Sequence, residues 1–184
     1  MNFIKTEISD VYIIEPSVFG DNRGYFLESF NLEKFEENVF PIRFVQDNES
    51  KSSKGVLRGL HFQKPPFNQA KLVRCIEGSV MDVAVDIRKG SPTYGKHVSV
   101  ELSGKNKRQL FIPRGFAHGF CVLSESAVFA YKVDNAYAPE YDSGIKYDDI
   151  DLNINWGLTD NEIQLSVKDK TLPSFKDLKS PFNF

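Results

Sequence analysis

Apolar and polar positions alternate in short bursts along this chain, and the bursts are rich in aromatic and β-branched residues. That pattern predicts strands over 11–14, 25–30, 44–47, 57–62, 71–76, 80–87, 97–102, 109–112, 119–123 and 128–133. Turn chemistry separates them: Phe19-Gly20-Asp21, Ser53-Lys54-Gly55, Glu77-Gly78-Ser79, Lys89-Gly90-Ser91-Pro92 and Ser103-Gly104-Lys105-Asn106. Many short strands with regular turns read as an all-β sandwich or barrel. Two segments look helical. One is 31–39, with Asn31 as cap and Leu32, Phe35 and Val39 at helix spacing. The other is a weaker C-terminal stretch near 160–165. The last dozen residues, with Pro173 and Pro181 and no periodicity, are expected to wrap over the domain or fray.

Alternation also sorts side chains by face, because successive strand residues point opposite ways. Met81, Val83, Val85 and Ile87 share one face, and Val80, Asp82, Ala84 and Asp86 the other. Lys71 falls with Val73 and Cys75, His118 with Phe116, Phe120 and Val122, and Tyr131 with Phe129 and Val133. His61 falls with Leu57, Gly59 and Gln63. Four strands thus each set one ionisable group among apolar neighbours, as in a barrel whose partly polar interior holds one ligand. Strict alternation sends Arg58 away from His61, so it reaches the same site only at a bulge or a strand end. Asp82 and Asp86 read as a solvent face, and His97 as a surface residue beside a turn.

Length and charge narrow the class. The 184 residues suit one domain spanning 1–184. The formal charge of −2 disfavours nucleic-acid binding. No apolar stretch approaches a transmembrane helix, and the first seven residues carry no secretory signal, so a cytoplasmic protein without membrane attachment is expected. Cys75 and Cys121, far apart in apolar segments, read as buried free thiols.

With only three histidines against 16 Phe and 7 Tyr, each imidazole matters. His61 is of the residue type best suited to proton abstraction, although a lone histidine is more often a satisfied core residue. Pro113-Arg114-Gly115-Phe116-Ala117-His118 carries the Pro-x-Gly-x-x-His kernel of the second cupin motif. The first motif, where metal cupins place His-x-His, reads His61-Phe62-Gln63. One imidazole is missing from the usual metal set, so a cupin-like jelly roll without its metal is the sharper expectation.

Taken together, these blocks resemble the dTDP-4-dehydrorhamnose 3,5-epimerase family. The resemblance runs through Glu15-Pro16, Val18–Gly24, Phe44–Asn48, Leu57–Gln63, Lys71–Cys75, Asp82–Lys89, Asn106–Leu110, Pro113–Phe120, Tyr131-Lys132 and Ser166–Asp169. It implies a metal-free and cofactor-free epimerase on a cupin-type jelly-roll barrel, a homodimer acting on dTDP-4-dehydro-6-deoxy-D-glucose. It implies His61 as general base with Asp169 as its partner, Tyr131 as general acid, and Lys71 as stabiliser of the enolate. It implies substrate contacts from Phe19, Arg23, Glu28, Gln46, Asp47, Asn48, Arg58, Lys71, His118, Asp142 and Lys168, with Tyr137 packing on the nucleotide. Arg114, and Val133-Asp134 with Ala136, depart from the residues common in relatives. Alternatives are a single-site epimerase, a keto-isomerase of a related dTDP-sugar, a non-catalytic sugar-nucleotide-binding cupin and a metal-dependent cupin.

Overall fold

A computed structural model describes residues 1–184. Thirteen strands run in chain order as β1 (Asn2–Lys5), β2 (Tyr12–Glu15), β3 (Val18–Asp21), β4 (Gly24–Leu27), β5 (Gln46–Ser53), β6 (Leu57–Gln63), β7 (Lys71–Glu77), β8 (Ser79–Asp86), β9 (His97–Ser103), β10 (Gln109–Ile112), β11 (Phe116–Val122), β12 (Ser126–Val133) and β13 (Asp142–Gly144). One helix, α1 (Leu32–Asn38), stands between β4 and β5. Its cap is the expected one: the Asn31 side chain accepts from the Lys34 backbone N–H.

The strands form two large antiparallel sheets of order β1-β2-β10-β7-β12-β5 and β13-β6-β11-β8-β9, and β3 and β4 make a separate hairpin. The sheets face one another without joining into one closed ladder, so the jelly roll is a cupin-type sandwich. Between them lies one apolar cluster drawn from both inner faces, including Val73 and Cys75 of β7, Val80 and Ala84 of β8, Phe116 and Phe120 of β11 and Phe129 of β12. Phe120 and Phe129 stack across the gap at 4.1 Å between ring centroids.

Each outer face has its own cover. Phe35 of α1 packs on Ile14, Leu72 and Phe111 of the six-stranded sheet. The C-terminal third packs Ile145, Leu152, Trp156 and Phe182 on Leu57, Leu60, Val83 and Val85 of the five-stranded sheet. The tail wraps rather than frays: Ser180 and Phe182 are buried, and Asn183 bridges to Lys89. The helical segment expected near 160–165 is a single 3-10 turn, Asp160–Glu162. Three strands lay outside the sequence expectation. β1, β3 and β13 span only three or four residues, too few for a periodicity to show. β5 overlaps the expected 44–47 only at Gln46 and Asp47 and runs on through Asn48-Glu49-Ser50-Lys51-Ser52-Ser53, a polar run with the composition of a protected edge strand.

Asp82 and Asp86 are fully buried rather than on a solvent face. Asp86 is held by the Arg88 guanidinium and by the hydroxyls of Ser91 and Thr93, and buttresses the turn after β8. Asp82 points the other chemistry inward, towards the site. No helix is long and apolar enough to cross a membrane. Cys75 and Cys121 are free and buried, as expected.

Candidate active site

The site opens between the two sheets as a cavity of about 480 Å³, within the range of small-ligand pockets. Its lining includes Arg58, His61, Lys71, His118, Tyr131, Lys168 and Asp169. These come from four strands and one loop, yet each has a local reason to be there.

His61 and Arg58 share the cavity because β6 breaks its alternation. His118 pairs with His61, but Phe120 pairs with Arg58, so β6 spends one residue more than β11 over the same distance. This is a bulge. Gly59 sits in it at φ +136°, and a Cβ there would lie 2.4 Å from the Gly119 Cα. Only glycine fits. The bulge moves Leu57 onto the outer face with Leu60 and Phe62, which corrects the expectation that Leu57 shares the His61 face.

Asp169 reaches His61 from far along the chain. Gln164 is clipped to the start of β6 by Gln164 N–H to Gly55 O at 2.8 Å and Leu57 N–H to Gln164 O at 3.0 Å. Five residues on, a 3-10 turn (Asp169–Thr171) sets the carboxylate 2.5 Å from His61 Nε2. Burial pushes the Asp169 carboxyl up, but the His61 hydrogen bond and the Ser166 hydroxyl more than offset it and hold it below the usual range. The carboxylate therefore stays ionised beside an imidazole whose side chain is 28% exposed to the cavity.

A second imidazole–carboxylate pair lies deeper. His118 Nε2 sits 3.1 and 3.0 Å from the two oxygens of Asp82 on the neighbouring strand β8. Burial lowers the His118 pKa despite the pull of Asp82. Lys71, at the start of β7, is lowered to about 8 by burial, with Asp82 and Asp142 acting in the other direction. Its ammonium makes no hydrogen bond or ion pair within the chain, and neither does the Tyr131 hydroxyl. Burial raises Tyr131, against the opposing field of Arg58. A free cation and a free neutral hydroxyl therefore face the cavity from the six-stranded sheet, and the two histidines from the five-stranded one.

The remaining expected residues sit around or beyond this cavity. Lys168 donates to Asp142, which also accepts from the Tyr137 hydroxyl at 3.3 Å, forming one rim. Gln46 and Asn48 lie on the Tyr131 face of β5, Asn48 directly across from Tyr131. Asp47 points outward, paired with Lys132 at 2.8 Å. Glu28 is tied to Lys34 and Asn31 near α1. Phe19 and Arg23 are on the β3–β4 hairpin and do not line the cavity; Arg23 pairs only with Asp21 at 2.6 Å.

Two contributors escaped the sequence reading. Asp82 is one. Gln63 is the other: it stands where metal cupins place their second histidine, and it anchors the loop before β13. Its amide donates to Phe67 O at 2.6 Å and Ala136 O at 3.1 Å, and its carbonyl accepts from Ala138 N–H at 2.6 Å. That loop carries Tyr137. No group of three or more His, Cys, Asp or Glu side chains is arranged to hold a metal ion.

Fold and site together define a cupin-type sandwich with an imidazole–carboxylate dyad on one wall of its cavity and a phenol and an ammonium on the other, groups suited to proton transfer. The comparisons agree. The family model described as dTDP-4-dehydrorhamnose 3,5-epimerase matches residues 5–177. The dTDP-4-dehydrorhamnose 3,5-epimerase of Shigella flexneri is 63% identical over 157 residues, covering 85% of this chain and 87% of its own. The enzyme of the same name from Escherichia coli K12 is 56% identical, covering 97% of this chain and 96% of its own. A crystal structure of dTDP-6-deoxy-D-glucose-3,5-epimerase from Legionella pneumophila Philadelphia 1, in complex with dTDP-4-keto-L-rhamnose, is 50% identical and superposes with a TM-score of 0.95. It covers 100% of this chain and 98% of its own. The chain belongs to the dTDP-4-dehydrorhamnose 3,5-epimerase family.

Proposed function

We propose that residues 1–184 act as one cupin-like domain that inverts carbons 3 and 5 of dTDP-4-dehydro-6-deoxy-D-glucose, giving dTDP-4-dehydro-L-rhamnose. The observation that carries this reading is the division of labour between the sheets. His61 with Asp169 stands on the five-stranded sheet, and Tyr131 with Lys71 on the six-stranded sheet. Inversion needs that arrangement, because a proton leaves one face of the sugar and another arrives on the opposite face.

The carbon-4 ketone acidifies the protons on carbons 3 and 5. His61 Nε2 is the atom bonded to Asp169, so the base acts as an imidazole ring held and charge-balanced from that side. Removal of the proton by His61 leaves an enolate, and Asp169 stabilises the imidazolium that forms. The unpartnered Lys71 ammonium stabilises the enolate oxygen, a fixed charge aimed at a developing one. Tyr131, kept protonated by burial, delivers the new proton. The His61 imidazolium then gives its proton to solvent at the cavity mouth, the Tyr131 phenolate regains one from solvent, and the sequence repeats at the other carbon. Arg58 and Lys168 supply guanidinium and ammonium groups for the diphosphate at the mouth, and Tyr137 a flat surface for the base.

Phe19 and Arg23 are reconciled with a nucleotide role by a homodimer. The hairpin that bears them exposes Phe19 at 65% and Phe26 at 69%, so it has apolar surface to bury against a second copy. Light scattering of the purified chain tests this: a monomer at working concentration removes the dimer and, with it, the roles of Phe19 and Arg23. A cytoplasmic setting fits the two free thiols.

The decisive experiment is turnover of the keto-sugar nucleotide in deuterated water, read by NMR. Deuterium at both carbons is expected. Label at one carbon reassigns the chain as a single-site epimerase, and no label with folded protein removes the proton-transfer reading in favour of a binding cupin.

A further inference from the structure

A second cavity, larger than the catalytic one at about 650 Å³, lies on the outer side of the six-stranded sheet. It shares no lining residue with the catalytic cavity. Its floor is Tyr12 of β2 and Phe111 of β10, and one wall is the segment 39–43 that follows α1, with Phe40 exposed. The opposite wall carries Arg88 and Arg114.

The three guanidinium groups of this cavity differ in commitment. Arg88 is engaged at all three nitrogens: Nη1 donates to Asp10 at 2.7 Å, and Nε and Nη2 to Asp86 at 3.0 and 2.8 Å. Arg114 gives only Nε, to Asp134 at 2.8 Å, leaving both Nη groups free. Arg43 has no hydrogen bond or ion pair at all and is exposed. Two uncommitted forks therefore flank an aromatic and aliphatic floor. A guanidinium fork matches the oxygens of phosphate, and two such forks match its two charges. A volume of this size accommodates a ring as well.

We propose that this outer cavity is a second binding site, for an aromatic phosphate monoester: the ring lies on Tyr12, Phe40 and Phe111, and the phosphate is held by Arg43 and Arg114. The site is placed to be felt at the catalytic cavity. Asp134, which holds Arg114, also accepts the Ala70 N–H at 2.7 Å. Ala70 directly precedes Lys71, and Asp134 directly follows the strand of Tyr131. Arg114 and Asp134 are thus partners of one another.

The test is a titration of the full chain with phenyl phosphate, followed by backbone-amide NMR with the catalytic cavity saturated by dTDP. Shifts are expected at Phe40, Arg43 and Arg114, with phenol and inorganic phosphate each binding at least about tenfold more weakly than phenyl phosphate, since neither supplies both halves of the contact. Arg43→Gln and Arg114→Gln are each expected to weaken phenyl phosphate about tenfold, and Arg43→Gln to leave turnover unchanged. Circular dichroism verifies that the variants are folded. Three results overturn the proposal: no shifts at millimolar phenyl phosphate, shifts confined to residues around His61, or affinities that both folded arginine variants leave unaltered.

Discussion

The molecule holds two imidazole–carboxylate pairs, His61–Asp169 and His118–Asp82, on neighbouring strands and in direct register. Their chemistry is the same and their surroundings are not. His61 is partly open to the cavity, and its carboxylate arrives on a loop. His118 is 7% exposed, and its carboxylate lies on the adjacent strand, contacting the ring with both oxygens. An imidazole that must gain and lose a proton needs a face towards substrate. One that is sealed, with its pKa lowered by burial, serves as a fixed polar group and as part of the surroundings of Lys71. The difference teaches that environment, rather than residue identity, divides the two roles we propose.

The sharpest way to break the comparison is His61→Asn. Steady-state turnover is expected to fall by up to about 10⁴-fold with the fold intact, the full range for a general acid–base group. Equal loss from His118→Asn, with substrate binding unchanged, would erase the distinction between the pairs. Next in size is Asp82→Ala. It leaves the sealed His118 ring without its hydrogen-bond partner and removes a negative field at Lys71, and thermal or denaturant unfolding is expected to register about 1–3 kcal/mol. Asp169→Asn is the counterpart: it keeps the shape, so its cost belongs in kcat, about 10²-fold, with a small change in unfolding.

The smallest effect is on pH. Lys71 is lowered to about 8, so its ammonium is lost as pH rises through that value, and turnover is expected to decline on the alkaline side there. Lys71→Gln should be slower throughout and lack that limb. The sign for stability is opposite. Between about 8 and the ordinary value of 10.5 the unfolded chain binds the proton and the folded one does not. Stability attributable to Lys71 therefore rises with pH across that window.

Much of this was legible in the residues. Alternation set Lys71, His118 and Tyr131 inward correctly, and the same pattern sent Asp82 inward although it was read as solvent-facing. The error was one of environment. A period of two says that a side chain shares a face with Ala84, but not that the opposite sheet closes over that face. Arg58 shows the limit of alternation from the other side. Its parity was wrong until the bulge at Gly59 restored it, and a bulge is a property of two strands in register. The far half of β5 was invisible because an edge strand is stabilised by its ladder and needs few apolar residues. Gln63 looked like a missing ligand, and only the loop it bonds reveals its work. The outer cavity had no signal, because its walls come from six separate segments.

The separation between His61 and Asp169 is 108 residues. During synthesis every strand is therefore made before the carboxylate that completes the base. A nascent chain carries its imidazole, its phenol and its ammonium while still lacking the dyad. The proposed dyad is thus assembled only late, once the segment clipped at Gln164 has docked. A chain cut short before residue 169 lacks both that carboxylate and the buried Phe182 that covers the five-stranded sheet.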